Sequence, residues 1–157
     1  MSLTTKGEIF VRPVKTTDAG EWLRLRQLLW PDINADFNAE IAQFFAGQAV
    51  HLVDVLVLDR GQNHLGGMIE LNIRAYAEGS VQSQVPFVEG WVVDTDLRGQ
   101  GYGRLLMAAA ENWARQQGYT ELASDVEVGN HPSIQAHERL GFKQVNRIVC
   151  LLKSLQE

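Results

Sequence analysis

Six residues past the middle of the chain, Arg98-Gly99-Gln100-Gly101-Tyr102-Gly103, restrict the fold more than any other segment. Glycine at alternate positions permits a tight turn and lets backbone approach a ligand closely. The segment follows Phe87 to Val93, which reads as a strand. It precedes a helical pattern from Gly103 to Gln117, in which Leu105, Leu106, Ala109, Ala110 and Trp113 form an inward stripe and Gly118 is the stop. The first turn of such a helix presents amides with no intrahelical partner, and its dipole favours an anion. Arg98 adds a guanidinium for charge-assisted hydrogen bonds. Together these parts make a pyrophosphate cradle. The plain alternative is a glycine-rich turn with a surface arginine. No Gly-Lys-Ser/Thr follows, which excludes a nucleotide P-loop, and the glycines do not open an N-terminal dinucleotide fold.

The rest of the chain alternates strands and helices around this turn. Glu8 to Arg12 reads as a strand that Pro13 leaves. Thr17 or Asp18 caps a helix with Trp22, Leu25, Leu28 and Leu29 on one side, ended by Trp30-Pro31 because a residue before proline disfavours helical dihedrals. A second helix runs from about Asn34 to Gly47, with Phe37, Ile41, Phe44 and Phe45 inward. Strands follow over Val50 to Leu58 and Gly66 to Ile73, joined by a hairpin turn at Asp59 to Asn63. Ala75 to Pro86 reads as a loop. After the long helix come a strand at Glu121 to Val126, a helix at Pro132 to Leu140 closed by Gly141, and a last apolar strand at about Lys143 to Leu152. This order predicts an α/β fold, a mixed central sheet flanked by helices. One domain is expected over residues 1–157, with its core at about 8–152.

Composition narrows the function classes. Formal charge of -5, from 14 Lys and Arg against 19 Asp and Glu, argues against a nonspecific nucleic-acid binder and permits a cationic substrate. No apolar stretch nears the roughly 20 residues that span a bilayer, and Met1 to Gly7 holds no apolar signal core, so a cytoplasmic protein without a membrane partner is expected. The lone Cys150 excludes an intrachain disulfide and, standing in an apolar run, reads as a buried core residue. His51, His64, His131 and His137 are dispersed, so no metal is expected.

Arg98, Gly101 and Gly103 resemble the acyl-CoA motif of the GCN5-related N-acetyltransferase (GNAT) superfamily, Arg/Gln-x-x-Gly-x-Gly/Ala after the fourth strand. Asn130, Ala136, His137 and Arg139-Leu140-Gly141-Phe142 are similar to its later Asn-to-Gly-Phe segment. The resemblance implies the GNAT fold and acetyl-CoA as acetyl donor. It implies that Arg98 and the segment Gly99, Gln100, Gly101, Tyr102, Gly103 and Arg104 hold the pyrophosphate, with backbone amides of Gln100 to Arg104 as donors. It further implies that Val92 and Val93 pair with pantetheine and polarise the thioester carbonyl, and that Asn130 approaches the pantetheine arm. Many members carry tyrosine where this chain has His137; histidine is also an acid at neutral pH, and is equally at home as a structural residue.

Within the superfamily, Trp22, Leu25, Arg26, Leu28, Leu29 and Trp30-Pro31 resemble the first helix of aminoglycoside 6'-N-acetyltransferases. Phe87-Val88-Glu89-Gly90, Glu111-x-Trp113 and Glu121-Leu122-Ala123-Ser124-Asp125 continue the likeness in order. The resemblance implies transfer to a 6'-amine by direct attack. Asp125 would contact the reacting amine and help remove its proton, with Glu89 positioning the substrate or activating a water. Glu127 is a further acidic candidate at the rim; Trp22, Trp30 and Tyr76 are candidates for the acceptor cleft, although Trp22 most simply packs the first helix into the core and Trp30 either packs there or walls the cleft, and Asp32 and Asp36 either line the approach or are solvated or capping residues. Competing readings keep the CoA site but change the acceptor to a polyamine, a metabolite amine or a peptide N-terminus, or make the domain a non-catalytic acyl-CoA-binding module. Val145 to Leu152 reads either as an internal core strand or as part of a homodimer interface.

Overall fold

The computed structural model describes residues 8–156, so the reading of Met1 to Gly7 lies outside the described residues. Five strands form one sheet in chain order: β1 (Phe10–Pro13), β2 (Asp54–Asp59), β3 (Leu65–Arg74), β4 (Val85–Val93) and β5 (Ala123–Ser124). The first four are antiparallel neighbours, and β5 joins β4 in parallel. Helices α1 (Ala19–Leu29) and α2 (Phe37–Phe45) precede β2, while α3 (Tyr102–Gln116) makes the crossover from β4 to β5 and α4 (His131–Arg139) follows it. The mixed α/β sheet flanked by helices is the expected fold class.

Alternation along β2 explains why both faces are covered. Val55 and Val57 enter a core with Trp22, Leu25, Ile41, Met68 and Val92; Leu56 and Leu58 enter another with Ile69, Leu71, Leu106, Met107 and Ala110. A strand apolar on both faces is stable only with layers on either side, and each large apolar side chain so buried contributes about 1.5–3 kcal/mol. The stripe of α3 is rotated from the expected one. Leu106, Met107, Ala110 and Ala114 are buried, Trp113 and Ala109 are half-buried, and Leu105 faces outward.

Several boundaries differ for local reasons. Pro13 ends β1 rather than lying beyond it. Asp18 does not cap α1: its carboxylate accepts from Arg12 at 2.7 and 3.0 Å and from the Lys15 amide at 2.7 Å, closing a short 3-10 turn. Asp36 does cap α2, accepting from the Ala39 amide at 3.0 Å. Strand β2 starts only at Asp54, since Val50 and Val53 are exposed. The strand expected at Lys143 to Leu152 is absent among the described residues; the segment has no regular structure and is exposed, and Cys150 is exposed with it.

One charged cluster lies inside the apolar layer between α1, α2 and the sheet. Glu70 is 1% exposed. It accepts from the Trp22 indole at 2.7 Å and from Arg26 at 2.6 and 3.0 Å. Arg26 also meets Glu40, and the rings of Trp22, Trp30 and Phe37 stand 5.3–5.7 Å from its guanidinium carbon. Removing one partner of such a pair leaves a buried charge uncompensated, at a cost of about 3–5 kcal/mol. Arg26→Met is therefore expected to lower the urea midpoint steeply, and Arg26→Met with Glu70→Leu to recover much of the loss. A double variant no more stable than the single one contradicts this reading.

Candidate active site

The site begins where β4 and β5 part. Strand β4 pairs with β3 along nearly its whole length, but with β5 only at Phe87–Ala123 and Val88–Ser124. From Glu89 onward its other backbone edge has no ladder partner among the described residues. The register against β3 also slips there: Glu70 faces Gly90, Leu71 faces Val88, and Glu89 is the extra residue. A bulge of this kind re-aims a side chain and bends its strand.

Glu89 is aimed at the face of β3 that carries Glu70, Asn72 and Arg74. It accepts from Arg74 at 2.8 and 2.7 Å and from the Asn72 amide at 3.0 Å. The Arg74 guanidinium carbon lies 3.5 Å from the centre of the Phe87 ring. Its bond to Glu89, opposed by desolvation and aided by the charge of Asp125, raises the Arg74 pKa above its ordinary value. Glu89 is thus an anchored carboxylate. Asn72 and Arg74 escaped the sequence reading, although polar residues at 70, 72 and 74 follow the period of a strand and mark one face of it.

Asp125, just after β5, is exposed and makes no hydrogen bond or ion pair among the described residues. Glu127 is likewise exposed. Trp30 ends α1, half-buried, with its ring against Gly90: a Cβ at Gly90 would stand 2.9 Å from it. That places Trp30 beside Glu89 as a wall. Trp22, by contrast, is fully buried and spends its indole N–H on Glu70, so it supports the framework and cannot touch an acceptor. Tyr76 is exposed on the 75–84 loop. Asp32 is solvent-exposed.

The glycine turn connects β4 to α3. Gly99 and Gly101 have φ of 73° and 88°, left-handed values that favour glycine. A Cβ at Gly101 would meet no atom within 4 Å, which leaves open space before the first turn of α3. Gly103 serves a different need. The Trp91 indole donates to its carbonyl at 3.2 Å, and a Cβ there would crowd the ring at 3.2 Å. Arg98 is exposed and donates through Nε to the Val93 carbonyl at 3.0 Å; Gln100 bonds the Asp96 carbonyl at 3.0 Å. Tyr102 is half-buried against the α3 core and Arg104 is exposed. Val92 and Val93 lie on the free stretch of β4. Open glycines, unpartnered helix amides and a free strand edge fit a diphosphate with an extended amide-bearing arm.

A brace holds this turn in place. Arg24 of α1 binds Asp94 at 2.8 and 3.1 Å and the Leu65 carbonyl at 2.9 Å, and Arg60 spans Asp94 and Asp96. Bonds to Asp94 and Glu21 hold the Arg24 pKa above its ordinary value.

The α4 residues are committed to structure. Asn130 caps α4, its carbonyl oxygen accepting from the Ser133 amide at 3.3 Å, which leaves its NH2 without a protein partner among the described residues. His137 is 8% exposed. Its Nδ1 donates to the Ser133 carbonyl at 2.7 Å, so Nε2 is the acceptor for the Ser124 hydroxyl at 2.9 Å. Trp91 and Phe142 pack edge-on, each 5.1 Å away. Both ring nitrogens of His137 are engaged, Nδ1 within α4 and Nε2 in latching α4 to β5.

The sequence profile of the Acetyltransferase (GNAT) family matches residues 21–142, most of the chain. The chain belongs to that family. As a GNAT protein it binds acetyl-CoA and is an acetyl-CoA-dependent acetyltransferase acting on an amine. Among its relatives, the aminoglycoside N(6')-acetyltransferase type 1 of Klebsiella aerogenes is 42% identical over 146 residues, covering 92% of this chain and 96% of the relative. That of Stenotrophomonas maltophilia is 36% identical, covering 88% and 89%. The solved structure of AAC(6')-Iy with the bisubstrate analogue CoA-S-monomethyl-acetylneamine superposes with a TM-score of 0.82 at 29% identity, covering 94% of this chain and 99% of that one. AAC(6')-Ih from Acinetobacter baumannii gives 0.81 at 29% identity, covering 95% and 100%.

Two outcomes test the site. Gly101→Val forces a β-branched residue to φ 88° and fills the open space, so acetyl-CoA affinity measured by calorimetry should fall at least about tenfold, the equivalent of ~1.4 kcal/mol. Unchanged affinity removes Gly101 from the cradle. His137→Gln should lower thermal stability through loss of the latch, by about 1–3 kcal/mol, without moving the pH profile of kcat. A shifted alkaline limb would instead make His137 a proton donor.

Proposed function

We propose that this GNAT enzyme is an aminoglycoside 6'-N-acetyltransferase. The observation that carries the proposal is the carboxylate of Asp125, without a partner among the described residues and exposed where β4 and β5 separate, with Glu89 anchored on the neighbouring strand. Two carboxylates beside the cofactor strand suit an acceptor bearing several ammonium groups, which they orient by charge-assisted hydrogen bonds. The relatives whose names carry this activity span nearly the whole chain at 36–42% identity and support the same reading.

Acetyl-CoA supplies the acetyl group as a thioester already activated toward amines. The amides at the start of α3, with Arg98, hold its pyrophosphate, and the free edge of β4 at Val92 and Val93 aligns its pantetheine. An amide of that edge directed at the carbonyl oxygen stabilises the negative charge that grows there during attack. Asp125 orients the reacting amine and accepts its proton, since an ammonium has no lone pair with which to attack. Glu89, held by Arg74 and Asn72, positions a second amine of the acceptor while Trp30 walls the cleft. The amine attacks directly, and N-acetylated product and CoA leave; Cys150, on the exposed C-terminal segment, takes no part.

The test is CoA-thiol release with 6'-amino and 6'-hydroxy aminoglycosides in parallel, with mass spectrometry of the products. A single 6'-acetylated product formed only from the amino compounds is expected. Asp125→Asn should lower kcat/KM for the acceptor about a hundredfold with acetyl-CoA affinity unchanged. Binding of acetyl-CoA without turnover of any aminoglycoside would move the acceptor to a polyamine, a metabolite amine or a peptide N-terminus, or leave a binding module.

A further inference from the structure

The pair formed by Arg74 and Glu89 leaves a defined set of hydrogen-bonding positions open. Glu89 Oε1 accepts from the Asn72 amide at 3.0 Å and from Arg74 Nε at 2.8 Å, while Oε2 accepts only from Arg74 Nη2, at 2.7 Å. A carboxylate offers roughly four acceptor positions, two on each oxygen. Oε1 is therefore filled, and Oε2 has one position left.

The guanidinium is used in the same partial way. Nε and Nη2 bind Glu89, and the other terminal nitrogen, Nη1, has no protein partner among the described residues. No buried side-chain nitrogen or oxygen among the described residues lacks a partner, and the Arg74 side chain is 38% exposed, so Nη1 is open to a ligand. Phe87 pins the plane of the group, its ring centre 3.5 Å from the guanidinium carbon. Asp125 is near enough for its charge to act on Arg74, so both carboxylates and the guanidinium serve one cleft.

This arrangement selects by hydrogen bonding more than by charge. An ammonium approaching the last position on Oε2 meets a formally neutral pair with a guanidinium beside it, and gains little there over water. A ligand that sets an N–H against Oε2 and an oxygen against Nη1 gains a bond at each. Neighbouring amine and hydroxyl groups, the vicinal amino alcohol of an amino sugar, supply that combination. A polyamine supplies donors only, and docking it leaves Nη1 facing no acceptor. A site built to hydrogen-bond a group rejects an analogue lacking it far more strongly than an apolar pocket does.

We propose, resting on the amino-sugar reading of the acceptor, that Arg74 is a specificity-determining residue, which with Glu89 reads a vicinal amino alcohol and disfavours a polyamine. Asp125 keeps the reacting amine, and the Arg74–Glu89 pair takes the second contact.

Calorimetry on the full chain with saturating CoA, which occupies the donor site without an acetyl group to transfer, compares neamine with spermine, a polyamine carrying as many amines. The native chain should bind neamine at least about tenfold tighter than spermine. Arg74→Met should bring the two affinities within about threefold with CoA affinity unchanged, and Arg74→Lys, which keeps the charge without the planar fork, should lie between. A purely structural role for Arg74 would weaken both ligands alike and preserve their ratio. If circular dichroism shows Arg74→Met unfolded, the native chain and Arg74→Lys decide. A native chain that binds spermine as tightly as neamine, or a ratio that survives substitution, would overturn the proposal. Turnover of neamine with acetyl-CoA is measured alongside: absence of a 6'-acetylated product removes the function proposed above, while the affinity ratio decides Arg74 by itself.

Discussion

The organisation of the site depends on one strand having two unequal edges. Along β4 the edge toward β3 is paired nearly throughout, whereas the edge toward β5 is paired for two residues and then released. Backbone groups freed in this way need partners, and from Glu89 onward no strand among the described residues supplies them on that side. The bulge at Glu89 lies at the same point. Release of the edge toward β5 and redirection of the Glu89 carboxylate therefore coincide at one residue of β4.

The face of β3 that looks toward α1 and α2 carries a graded polar row. Glu70 is sealed by Arg26 and Trp22, Asn72 is buried but turned to Glu89, and Arg74 reaches the more open end against Phe87. Burial falls along the row while hydrogen bonding is kept complete; no buried side-chain polar atom among the described residues lacks a partner. Such a row is costly unless each member is satisfied. Its function is geometric: Glu70 fixes α1 to the sheet, and α1 delivers Trp30 to Gly90 beside the anchored Glu89.

Features with local causes were legible in the sequence. The turn around Gly99 and Gly101, the end of α1 at Trp30-Pro31 and the cap at Asp36 are decided by neighbouring residues, and each is present. Features set by distant partners were not. Leu105 matched the helical period as well as Met107 does, and only packing against the sheet rotates α3 to bury the latter. Glu70 lay unremarked inside the strand read at Gly66 to Ile73 and Arg74 just beyond it, because their partners are on other elements. The strand expected at 143–152 is not formed among the described residues, because an apolar composition does not by itself supply an edge to pair with. Asn130 and His137 matched a motif, while their side chains answer to Ser133 and Ser124.

The brace formed by Arg24, Arg60, Asp94 and Asp96 joins regions that chemistry would treat separately. Helix α1 ends at Trp30 against Gly90, and Asp94 begins the segment that leads into the glycine turn. A single guanidinium, that of Arg24, thus ties α1 to the start of that segment, much as a keystone bears on both sides of an arch. The position of α1 and the path of the chain into the glycine turn are therefore set in part by the same carboxylate, Asp94.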